Sequence, residues 1–462
     1  MKNLTRGLNF IKKTVNREDE MRIKLSDHFT YSKLLRFTLP SIVTSVFISL
    51  YGVVDGLFIT NFTGKSALAA LNFVYPILNI LGVFGYMVGA GGSALVAKSL
   101  GEKKTEKSNQ LFSMFVYLCI AIGLLLTIVG FLILRPMLIL FGAGGLLLEK
   151  ALEYGYVILM SLTFWNLQYL FQIFFVTSEK PKLGLYVTIF AGVTNMVTDA
   201  LFIAVLKWGL VGAAAATALG QIVGGGIPMI YFFRKNDSLL RLGKTKFDVQ
   251  AIIKGISNGT GELLSGISAS IVGILYNSQL LKYAGEDGVA AYGIMMYINM
   301  IFTGISLGYM SGSAPIIAYH YGANNHQELK NLLKKGVILL ISSSMVMYVL
   351  SILLSVPLSQ LFAGYDTEFY NMTLHGFKIF AISFLFMGIA FLGSSFFTAL
   401  NNGLIAAILS FLRTFVFQVL SVILLPMVWG IDGIWYSVVV AQGLALTSTI
   451  AFLIGMRKKY QY

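Results

Sequence analysis

Charge is scarce in this sequence. Asp, Glu, Lys and Arg make up 12% of its 462 residues, about half the share of a soluble globular domain, which excludes an ordinary water-soluble enzyme. Cysteine is nearly missing. The single Cys119 rules out an intramolecular disulfide and reads as a small apolar residue in an apolar run. Histidine is also sparse: His28, His320, His326 and His375 are scattered at the edges of apolar stretches or between them, form no H-E-x-x-H metal site and are expected to be solvated. The charged segment Met1 to Thr30 has no uninterrupted apolar core before a cleavage site, so it reads as a cytosolic arm rather than a signal peptide. Within it, Leu8-Asn9-Phe10-Ile11 is apolar enough to lie on a membrane surface.

What is abundant is apolar. Hydrophobic residues make up 56% of the chain, and a bilayer-spanning helix needs about 20 of them in succession. Twelve such stretches can be marked, near 34–60, 66–96, 111–134, 152–177, 184–206, 210–233, 252–281, 288–317, 334–356, 374–400, 403–425 and 433–455. Forty-seven glycines suit close packing between membrane helices. The expected fold is an all-α integral membrane protein of twelve transmembrane helices.

The net charge of +14 is explained by topology. With both termini in the cytosol, 27 Lys and Arg fall on the cytosolic side and 6 on the other, with Arg413 inside a stretch. That asymmetry is the positive-inside pattern, so no nucleic-acid partner is needed, and Lys103-Lys104 is a topology determinant rather than a phosphate site. The expectation is a multi-pass protein of the cell membrane with both termini cytosolic, acting as a monomer with the lipid bilayer as its surroundings.

An offset of 221 residues relates the two halves. Trp208-Gly209 meets Trp429-Gly430, Gly212 meets Gly433, Gln221 meets Gln442, Ala69-Ala70 meets Ala290-Ala291, and Thr177 meets Thr398. Gly91, Ala97 and Gly101 meet Gly312, Ala318 and Gly322. Six stretches per half is an even number, so both halves enter the membrane from one side as parallel repeats. The expected organisation is an arm at 1–30, an N-lobe at 31–234, a charged linker at 235–250, a C-lobe at 251–456 and a tail at 457–462.

Several residues carry a family resemblance. His28-Phe29-Thr30 through Leu39-Pro40, Val54-Asp55-Gly56, Gly101-Glu102, the pair Asn195 and Asp199, and Trp429-Gly430-Ile431-Asp432-Gly433 together resemble the multidrug and toxic compound extrusion (MATE) transporters over residues 28 to 455. The resemblance implies two lobes that extrude drugs, organic cations or metabolites by exchange with Na⁺ or H⁺, without another cofactor. An alternative on the same fold plan is a flippase for lipid-linked saccharides, which would be expected to carry a cationic lateral groove. A polytopic membrane enzyme is disfavoured, because no catalytic constellation appears.

Asp55, Asp199 and Glu262 are the acids that sit well within the apolar stretches. A buried acid is expensive there, so each is a functional candidate by default. Counting from the stretch ends at 1.5 Å per residue puts Asp55, Asp199 and Thr217 about 10 Å below the outer surface. Asn195 lies one turn deeper than Asp199 on the same face. Two carboxylates, an amide oxygen and a hydroxyl could hold a small cation such as Na⁺ or share a proton; the plainer reading is a polar network locking three helices. Asp55, Asn195, Asp199 and Thr217 are also the positions that match the N-lobe cation site of the archaeal and DNA-damage-inducible branch.

Glu262 resembles a glutamate that another branch uses in the C-lobe. That branch also needs an aspartate in the tenth helix, and none occurs between His375 and Asn402. Arg413 could pair with Glu262 or snorkel inward. Trp165, Tyr169, Tyr292, Met295, Met296 and Met300 could line an adaptable substrate cavity or simply pack against lipid and lobe. Gly255-Ile256-Ser257-Asn258-Gly259 matches G-x-S-x-G without the strand that a nucleophile elbow requires.

Overall fold

The computed structural model describes residues 23–63 and 65–462; the segment Leu8 to Ile11 lies outside the described residues. Among these, every regular element is helical. In chain order they are α1 (Tyr31–Thr63), α2 (Lys65–Gly101), α3 (Thr105–Leu140), α4 (Gly145–Thr177), α5 (Pro181–Asp199), α6 (Gly209–Phe233), α7 (Val249–Gly322), α8 (His326–Ala363), α9 (Thr367–Ala381), α10 (Phe384–Ala399), α11 (Gly403–Phe411) and α12 (Phe417–Tyr460). π-helical segments follow α5 at Ala200–Val205 and α11 at Leu412–Val416. Starts are marked by side-chain caps that satisfy otherwise orphaned N–H groups: Asp248 accepts from Ala251 N, Asp366 from Glu368 N and Phe369 N, and Asn402 from Ile405 N.

Nine helical stretches of the described residues are long and apolar enough to cross a membrane, or ten if α9 and α10, bent by 44°, form one broken span. Each stretch marked in the sequence falls on helix, yet the divisions differ. The seventh and eighth are joined in the 74-residue α7, and the eleventh and twelfth run together through α11 and α12. Both long elements turn back on themselves. Gly285 breaks α7 at φ 63°, ψ −156°, and the Tyr276 and Tyr292 rings on either side stack 5.3 Å apart. A continuous helix would separate residues sixteen apart by about 24 Å. Gly430 breaks α12 at φ 57°, ψ −132°, and Ser437 Oγ donates to Ser421 O at 3.0 Å. Positive φ is what glycine tolerates without penalty, and Gly209, 221 residues before Gly430, has φ 60°.

The two halves meet where small residues let backbones close in. α2 packs along both arms of α7, and α1 along α7 as well. A Cβ on Gly101 would sit 2.0 Å from Tyr319 O, and one on Gly322 2.1 Å from Lys98 O. Likewise a Cβ on Gly91 would be 2.7 Å from Gly259 N, and one on Gly312 3.0 Å from Thr38. A third pair joins Gly266 to Val83 and Gly304 to Ser45. In each case adding 221 to the first-half residue of one contact gives the second-half residue of the other. Reciprocal contacts of this kind are what a two-fold relation between packed units produces.

Three apolar clusters form the core. One draws only on residues 59–214 and one only on residues 272–438. The third joins the halves and contains Leu25 and Phe29, Leu240 and Leu242, and Tyr460 and Tyr462. The welded end is therefore the end that carries both described termini and the inter-half linker. That linker is strapped along α3: Arg241 N donates to Asn109 Oδ1, Thr245 Oγ1 to Gln110 O, Gly243 N to Ser113 Oγ and Tyr117 Oη to Gly243 O. Lys180 bonds to Asp237 and holds its carboxyl below the usual range.

Candidate functional site

Small residues also bring α1, α5 and α6 together. A Cβ on Gly192 would lie 2.6 Å from the Phe47 ring, and one on Gly220 3.1 Å from Asn195 Cβ. This packing carries Asp55 on α1, Asn195 and Asp199 on α5, and Thr217 on α6 into one group. Asp199 ends α5 where the helix loosens into its π-helical segment, an irregularity frequent at functional sites.

Asp199 is fully buried and Asn195 is 3% exposed. The Asp55 and Asp199 carboxyls are close enough to act on each other electrostatically. Both are acceptors when ionised, so they can bond only by sharing a proton or a cation. Asn195 Nδ2 points to Thr217 Oγ1 at 3.5 Å, and Tyr154 lines the same cavity as that hydroxyl. Four buried acceptors, Asp55 Oδ1, Asn195 Oδ1 and both oxygens of Asp199, have no hydrogen-bond partner. Buried acceptors are normally satisfied, and hard oxygen donors of this kind suit a proton or a small hard cation. Among the described residues no group of three or more His, Cys, Asp or Glu could hold a metal ion.

A cavity of about 430 Å³ opens beside this group, lined by Asp55, Asn195 and Thr217 together with Tyr51, Tyr75, Tyr154, Trp165, Gln168, Tyr169 and Gln221. Met300, from the second half, completes its wall. A second cavity of about 460 Å³ lies between the halves, shares Ile48, Ser49, Tyr169 and Met300 with the first, and adds Met296, Asn299 and Thr303. Trp165, Tyr169, Met296 and Met300 thus stand where a cavity role requires them. Tyr292 and Met295 do not. Met295 is fully buried in the second-half core, and Tyr292 stacks on Tyr276 against that same core. The tyrosines at 51, 75 and 154 escaped the sequence reading. Only Tyr51, one turn before Asp55, carried a spacing signal.

Glu262 and Arg413 both line a different, small chamber walled by residues of both halves. Arg413 is 5% exposed, so it does not snorkel to the surface. The histidines correct the sequence expectation in part. His320 is buried at 2% exposure against the Phe29 ring, His28 bonds to Glu328 and His375 to Asp432. The Gly255 to Gly259 string lies on α7, and its glycines serve the approach to α2 and α3.

Comparisons with known proteins agree with this architecture. The MatE family model matches residues 40–201 and 262–424, more than half of the chain in two successive blocks. The multidrug export protein MepA of Staphylococcus haemolyticus is 25% identical over 427 residues, covering 92% of this chain and 93% of that protein. MepA of Staphylococcus saprophyticus is 23% identical, covering 95% of each. Among solved structures, an outward-facing multidrug resistance MATE family transporter of the MOP superfamily superposes with a TM-score of 0.88 at 20% identity, covering 94% of this chain and 97% of that one. A MATE structure in a bent conformation gives 0.85 at 20% identity, covering 94% and 98%. With a membrane-scale helical fold, matched along nearly its whole length by these transporters, the chain belongs to the MatE family.

Proposed function

We propose that this chain is a cation-coupled exporter of drugs, organic cations or metabolites, working by alternating access between an N-lobe and a C-lobe. The observation that carries the reading is the set of unpartnered oxygens on Asp55, Asn195 and Asp199 beside a cavity walled by aromatic and amide side chains. Phenol and indole faces attract organic cations, and Met296 and Met300 supply adaptable contacts. The relatives' description as multidrug export proteins supports the same assignment and a transporter rather than an enzyme.

The turn-backs at Gly285 and Gly430 split α7, and the continuous run of α11 and α12, into two crossings each. With α9 and α10 as one broken span, the count becomes twelve, six per lobe. Reciprocal glycine contacts and the two family-model blocks support parallel repeats. With the termini in the cytosol, the welded end is cytosolic and the cavities lie toward the outer face. Na⁺ or H⁺ drawn inward releases about 2.3 kcal/mol per charge per 100 mV, enough to lift a substrate against its gradient. A flippase for lipid-linked saccharides would call for a cationic groove; Arg413 is instead enclosed.

The test is dye efflux from proteoliposomes under separately imposed Na⁺ and H⁺ gradients. Asp55→Asn and Asp199→Asn should each abolish gradient-driven efflux while leaving folding near normal, because neutralising a buried acid removes its desolvation cost. Glu262→Gln should do less damage. Wild-type transport by Asp199→Asn together with an inactive Glu262→Gln would move coupling to the C-lobe.

A further inference from the structure

We propose that Arg413 is a tethered counter-ion to Glu262, occupying by covalent attachment the role an exchangeable cation would have, so that the second half takes up no ion during transport. The inference rests on the cation-coupled reading above.

The chamber holding these residues is about 40 Å³, room for roughly two or three waters. Its titratable lining consists of Glu262, Arg413 and Tyr86. Glu262 is brought there because Gly261 lets α7 close on α11, with a Cβ at that position only 2.8 Å from Ser410 Oγ. Ser410 is one turn before Arg413, which sits in the π-helical segment after α11. The guanidinium carbon stacks 3.6 Å over the Phe391 ring, while Nε and Nη1 have no hydrogen-bond partner. Glu262 and Arg413 are the opposite charges that line this one small chamber.

A buried carboxylate needs a compensating charge. Among the described residues no Lys, Arg or His lines the cavity beside Asp55 and Asp199, so a proton or a mobile cation is the compensating charge that fits there. At Glu262 the compensating charge is a guanidinium that stays protonated and cannot leave. Access is not what separates the two cases. The chamber and the inter-half cavity share Tyr86, Ile173, Leu307 and Ser311, and Tyr86 Oη bonds to Ser311 Oγ at 3.0 Å across the halves.

The experiment reads the limiting accumulation ratio of ethidium in proteoliposomes as a function of an imposed potassium-diffusion potential. Wild type, Glu262→Gln and Arg413→Lys should share one slope. Arg413→Gln should gain one coupled charge per cycle, a change of about tenfold in the ratio for each ~59 mV. The double variant Arg413→Gln/Glu262→Gln should return to the wild-type slope. A folded Arg413→Gln with an unchanged slope, or a Glu262→Gln that loses one charge, overturns the proposal. Should Arg413→Gln fail to fold, the slope of Glu262→Gln alone decides between the two outcomes. Asp55→Asn is measured in parallel: transport by that variant would refute the first-half coupling site while leaving the Arg413 comparison intact.

Discussion

Glu328 opens α8 with its carboxyl 4% exposed, and it accepts from Phe29 N at 2.9 Å and Asn331 Nδ2 at 2.7 Å while pairing with His28 Nδ1 at 2.6 Å. Leu25 N donates to Glu179 Oε1 at 2.7 Å. The short stretch from Leu25 to Phe29 is thereby tied to the first half through Glu179 and to the second through Glu328. Glu328→Ala leaves a buried backbone donor unsatisfied and removes charge-assisted bonds, at a cost of about 2 kcal/mol. The expected outcome is a lower melting temperature and faster proteolysis near residues 23–30, with Glu328→Gln intermediate. None of this was visible in the sequence, where Glu328 is one polar residue among many outside the apolar stretches. Asp55 and Asp199 were visible for the opposite reason: an acid within an apolar run is costly, and costly residues stand out. Tyr154 and Tyr75 did not, since tyrosine is common in membrane helices and only the fold brings these to Asp55.

Among elements, the contact between α2 and α7 depends on missing side chains. A Cβ on Gly259 would lie 1.9 Å from Met87 O, and backbone cannot swing away as a side-chain tip can. Gly259→Ala should force the helices apart at about 1–3 kcal/mol or more, seen as a clear loss of thermal stability in detergent. Gly273→Ala, on the same helix with open space around its Cβ position, should be neutral or gain about 0.5–1 kcal/mol. Hydropathy located the helices because each apolar run has to be satisfied internally in lipid. It could not show where they are interrupted. The bend between α9 and α10 falls at Ile382–Ser383 with no proline or glycine to announce it. The π-helical segments at Ala200–Val205 and Leu412–Val416 likewise have no compositional mark, though both adjoin or contain an ionisable residue.

For the whole molecule, the charge asymmetry predicts which end faces the cytosol. In a Cys119→Ala background, Gly243→Cys and Lys459→Cys should resist an impermeant thiol reagent applied to intact cells, while Tyr365→Cys, at an 84% exposed position, should react. The reverse pattern would invert the topology. The 221-residue offset was legible because tryptophan is rare and Trp208 and Trp429 share their setting. The reciprocal glycine contacts could be read only from coordinates, since sequence gives the pairs but not who meets whom. The strapped linker has a further consequence. A segment fastened to Asn109, Gln110, Ser113 and Tyr117 has no slack to let out. Any turning of one half against the other must then be taken up between Thr245 and Val249, hard against the welded end. On the alternating-access proposal, the joint would work as a hinge at the rim rather than a loose tether. At about 30 Å from it, a rotation of roughly 15° sweeps the far mouth through about 8 Å while the near end hardly stirs.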